Sequence, residues 1–96
     1  MTSRNAKFKF LDRDFEETLV CLSGWAADYR LFSQLNLNYN YLFAVRFSPF
    51  EFTKHLAGYL HKISANKISL LGYSLGGFLA VDFAKSYPEM VKELIL

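Results

Sequence analysis

Leu70-Leu71-Gly72-Tyr73-Ser74-Leu75-Gly76-Gly77-Phe78-Leu79-Ala80 decides the fold of this 96-residue chain. The stretch sets a Gly-x-Ser-x-Gly between a short apolar run and a helix-like segment. A strand that turns at once into a helix crowds the backbones of Gly72 and Gly76 around a strained serine, and side chains there would clash. In such a turn the Ser74 hydroxyl projects above the sheet edge. The Leu75 amide, at the helix N-terminus, is aimed where negative charge would develop on an attacked carbonyl. The plainer alternative is a tight turn whose serine only caps the helix. Phosphate-binding turns are excluded by the residues themselves. Gly72-x-x-x-Gly76-Gly77 is not Gly-x-Gly-x-x-Gly, and no Lys-Ser or Lys-Thr pair follows it.

Outward from this turn, apolar runs alternate with helical patterns. Ile68 to Leu71 reads as the strand feeding the turn, and Leu75 to about Tyr87 as a helix that is apolar nearly all round apart from Asp82 and Lys85. Pro88 marks its end, and Val91 to Leu96 begins the next buried strand. Upstream, Thr18-Leu19-Val20-Cys21-Leu22 is the first strong strand, preceded by a short edge strand over Lys7 to Phe10 and a charged turn from Leu11 to Glu17. Asp28 caps a short helix running to about Leu35, which Asn36 to Asn40 end. Tyr41 to Val45 is the next strand. Ser48-Pro49-Phe50-Glu51 reads as a capping box with proline at the first helical position. In the helix it starts, Phe52, Leu56, Tyr59, Leu60 and Ile63 share one face.

This alternation predicts an α/β fold, a mostly parallel sheet with crossover helices. If the strands at Tyr41 and Ile68 lie on opposite sides of the strand at Thr18, right-handed crossovers fix which face each helix covers. The helix after Asp28 then covers one face, and the helices after Pro49 and Ser74 cover the other. The chain reverses direction between the strands ending at Leu22 and Leu71, where ligands bind at strand C-termini. Ser74 and the loop Ser23-Gly24-Trp25-Ala26-Ala27 meet there.

From about Thr18 to Leu96 the chain resembles the α/β-hydrolase superfamily, most strongly over Gly72 to Gly77. The resemblance implies that Ser74 is the nucleophile of an acyl-enzyme mechanism on carboxylic esters or thioesters. Leu22-Ser23-Gly24-Trp25 looks like the family's His-Gly-x loop with serine in place of histidine. Carried over by position, the backbone amides of Trp25 and Leu75 form the oxyanion hole, while the Trp25 indole and Tyr73 contact substrate. Arg46-Phe47-Ser48-Pro49 leads straight into a helix, as in short-loop members that include esterases removing a methyl ester from a carrier-bound acyl chain in biotin synthesis. A small-molecule or carrier-bound acyl ester is the implied substrate, and no cofactor is implied.

The family's acid and histidine follow the serine, yet no histidine follows Ser74. Residues 1–96 are therefore expected to be the N-terminal portion of a single hydrolase domain, truncated after the strand that follows the nucleophile helix and inactive alone. The competing expectation is a non-catalytic fragment, serving as a binding or interface module or persisting as a gene remnant. His55 and His61 lie on the helix after Pro49, His55 near the border of its apolar face and His61 opposite it. Asp82, two turns beyond Ser74, is expected to point away from the nucleophile. One cysteine and two histidines six apart do not match zinc-ligand spacing, so no metal is expected.

Composition fits a compact domain: 52% of residues are hydrophobic, with 10 Phe and 6 Tyr, and the net charge is only +2. Lys and Arg are scattered, which argues against a nucleic-acid partner. No signal peptide or membrane span is read, and Cys21, inside an apolar run, is expected to be a buried inert thiol. A cytoplasmic location follows from that lone cysteine. With one short helix for one sheet face, apolar surface near Ile68 and Leu94 should stay uncovered and favour self-association.

Overall fold

The structure, a computed structural model, describes residues 7–22, 36–48 and 50–96. Five strands, β1 (Lys7–Leu11), β2 (Thr18–Leu22), β3 (Asn40–Arg46), β4 (Ile68–Gly72) and β5 (Val91–Ile95), form one sheet. Helix α1 (Phe52–Lys62) joins β3 to β4, and α2 (Leu75–Ser86) joins β4 to β5 through a 3-10 turn at Pro88–Met90. The strand order is β1-β3-β2-β4-β5, with β1 antiparallel to β3 and every other pair parallel. β3 and β4 flank β2, and the chain reverses direction across it.

Both faces of the central strands are buried, which explains their near-continuous apolar sequence. Val20, Leu22, Leu42 and Leu70 pack under α1 and α2 against Leu56, Leu60, Leu79 and Phe83. Leu19, Cys21, Tyr41 and Phe43 form a cluster on the opposite face. On α1 the buried residues are Phe52, Leu56 and Leu60, one turn apart. Each such burial stabilises the fold by about 1.5–3 kcal/mol relative to exposure.

The start of α1 departs from the capping-box reading. The helix begins at Phe52, and Glu51 precedes it in a left-handed conformation (φ 61°, ψ 16°) with no side-chain cap bond. Left-handed backbone cannot belong to the first turn of a right-handed helix, so Glu51 flanks α1 instead of occupying its third position. Its carbonyl accepts the first helical bond from the His55 amide at 3.0 Å. The Ser48 hydroxyl accepts from the Phe50 amide at 3.3 Å, one residue short of the capping-box partner. Pro49 and the Asp28 cap lie outside the described residues.

The segment between β1 and β2 is a polar staple and not merely a charged turn. Buried Asn40 accepts from the amides of Arg13 (2.6 Å) and Phe15 (3.2 Å) and donates to the Phe15 carbonyl at 2.6 Å. The Arg13 guanidinium donates to the carbonyls of Leu37 and Tyr39, at 2.6 and 3.1 Å, and lies over the Tyr41 ring 4.9 Å from its centroid. These contacts fix where β3 begins and so set its register against β2.

Uncovered apolar surface falls at the β5 edge only in part as expected. Ile68 is 1% exposed, because its side chain faces α1 and α2. Leu94, Ile95 and Leu96 are exposed. On the lower side Lys92 of β5 pairs with Glu17, which raises the pKa of its ammonium through the hydrogen bond and the carboxylate's charge.

Candidate active site

The turn after β4 is built from backbone hydrogen bonds. The Tyr73 amide donates to the Leu22 carbonyl at 2.9 Å, tying the turn to the end of β2. The Gly76 amide donates to the Tyr73 carbonyl at 2.9 Å, and the Gly77 amide to the Ser74 carbonyl at 2.8 Å. Between them Ser74 adopts φ 60°, ψ −130°, a combination that residues with a β-carbon rarely occupy.

That geometry disposes of the capping alternative. A capping serine would accept from the second or third amide of α2, those of Gly76 or Gly77, and both already bond to carbonyls. The Ser74 side chain makes no cap bond and is exposed. The Leu75 amide opens α2 ahead of the helix's own ladder, at the positive end of its dipole.

Gly72 explains how the turn can be so tight. A β-carbon there would stand 2.8 Å from the Gly76 carbonyl oxygen, 2.8 Å from Gly77 Cα and 3.0 Å from Ala80 Cβ. Its absence lets α2 lie directly on β4, and Gly76 is buried at that contact. The two glycines singled out in the sequence thus meet each other across the turn.

Beside α2, on the β5 side, an open groove of about 540 Å³ is lined by Tyr73, Ser74, Phe78, Val81, Asp82, Lys85 and Leu96 among others. Tyr73 is 67% exposed and Phe78 78%. Asp82 does not simply point away from the nucleophile, since it lines the same groove. At about 1.5 Å rise per residue it lies roughly 12 Å along the helix from Ser74, beyond hydrogen-bond reach. Asp82 and Lys85 were missed as groove residues. Their being the only charged side chains of α2 was the available signal.

Neither histidine lines this groove. His61 is exposed on α1, and half-buried His55 holds its Nδ1 atom buried without a hydrogen-bond partner among the described residues. Burial pushes the Cys21 thiol up to about 12, so it is protonated and inert at neutral pH. Among the described residues no three His, Cys, Asp or Glu side chains gather as metal ligands, and no helix is long and apolar enough to cross a membrane. Gly24 and Trp25, with its backbone amide, lie outside the described residues.

No family model matches the chain. A putative 2-succinyl-6-hydroxy-2,4-cyclohexadiene-1-carboxylate synthase of Bacillus subtilis is 41% identical over 51 residues, 53% of this chain and 19% of that protein. A marine microorganism esterase superposes with a TM-score of 0.75 at 18% identity, covering 94% of this chain and 40% of the esterase. MGS-M2, an alpha/beta hydrolase enzyme from a deep-sea metagenome library, gives a TM-score of 0.71 at 18% identity over 93% of this chain and 39% of its own. The chain thus spans less than half the length of the structures it resembles. By its mostly parallel sheet, its strand-turn-helix junction and these matches, the chain carries part of the α/β-hydrolase fold.

Proposed function

We propose that Ser74 is the nucleophile of a serine hydrolase that acts on carboxylic esters or thioesters through an acyl-enzyme. The supporting observation is the backbone of Ser74 at the junction of β4 and α2, which leaves its hydroxyl exposed and unshared with the helix amides. In this reading Ser74 Oγ attacks the carbonyl carbon while its proton passes to a histidine base. The tetrahedral oxyanion is held by the Leu75 and Trp25 amides, the alcohol or thiol leaves with a proton, and water releases the acid. Tyr73 and Phe78, exposed beside Ser74, supply apolar contact for a small-molecule or carrier-bound acyl group. The short connection from Phe47 to Glu51 supports carrier-bound methyl esters as the narrower candidate. Likeness in fold to an esterase is consistent with this reading.

His55 and His61 are the chain's only histidines, and neither lines the groove at Ser74, so residues 1–96 alone are proposed to turn over negligibly. They are read as the N-terminal portion of a single hydrolase domain. The same observation favours a second reading, a non-catalytic module with an intact turn. Incubation with p-nitrophenyl butyrate and added imidazole, followed by peptide mass spectrometry, separates the two. The hydrolase reading expects a butyryl group on Ser74 that disappears in Ser74→Ala. No acylation at any imidazole concentration would favour the module.

A further inference from the structure

We draw no further inference here: the strongest candidate, the apolar surface at Phe50, 83% exposed in the turn from β3 to α1 beside left-handed Glu51, carries nothing because the chain spans only 40% of the esterase it superposes on and nothing in the structure shows what covers that turn.

Discussion

Gly72 and Gly76 are in mutual contact across the turn between β4 and α2: a β-carbon on Gly72 would stand 2.8 Å from the Gly76 carbonyl oxygen. The obstructing atoms are backbone, so no side chain can swing aside. Gly72→Ala is therefore expected to lift α2 off β4 and to cost about 1–3 kcal/mol, the usual range for overpacking. Urea denaturation measures this. Gly58, with nothing within 4 Å of its would-be β-carbon, is the control, and Gly58→Ala in mid-helix is expected to stabilise.

Ser74 stores strain in its backbone. Glycine tolerates φ 60°, ψ −130° and alanine does not, yet both substitutions delete the hydroxyl. Ser74→Ala is expected to fall within about 0.5 kcal/mol of the unsubstituted chain. Ser74→Gly is expected to be more stable by about 1 kcal/mol, the relief of strain being partly offset by glycine's greater freedom when unfolded. Equal urea midpoints for the two variants would show that the turn is unstrained.

Asn40 bridges three backbone groups of Arg13 and Phe15 from a buried position at the start of β3. Asn40→Ala leaves them without partners and is expected to cost about 2–4 kcal/mol. Hydrogen exchange should quicken first at the Arg13 and Phe15 amides. Uniformly quickened exchange would mean that the staple acts only through global stability.

Cys21 gives the chain an alkaline limit. Burial raises its pKa from 9.0 to about 12. Below pH 9 the thiol is protonated whether the chain is folded or not, and it costs nothing. Above pH 9 the unfolded chain releases a proton that the folded chain keeps, so stability falls as pH rises toward 12, by up to about 1.4 kcal/mol per unit. Urea midpoints at pH 8 and pH 10 should differ more for the unsubstituted chain than for Cys21→Ala. Equal differences would show that Cys21 does not set this limit.

The central strands and the serine turn were legible because each rests on local sequence. Thr18–Leu22 and Ile68–Gly72 are apolar runs buried in the sheet, whereas their order was legible only as one arrangement, since crossover handedness fixes the face each helix covers and not which strands are neighbours. Gly-x-Ser-x-Gly is equally local. The α1 boundary was not legible, because Ser48 and Glu51 satisfy a capping box in spacing while the backbone instead turns left-handed at Glu51. Asn40 looked like part of a turn, since nothing near it in sequence announces its partners Arg13 and Phe15, more than twenty residues away. Asp82 was misjudged for a related reason: its distance along α2 from Ser74 does not tell which neighbouring strand leaves a groove open.

The turn after β4 is proposed to present Ser74 as a nucleophile while residues 1–96 bring no imidazole to it. The most direct measurement is the rate at which a fluorophosphonate labels the chain, followed by intact mass with and without imidazole. The predicted result is slow labelling confined to Ser74, accelerated in proportion to imidazole and absent in Ser74→Ala. Rapid stoichiometric labelling without imidazole would show that the chain holds its own base. Labelling that survives in Ser74→Ala would contradict the assignment of the nucleophile.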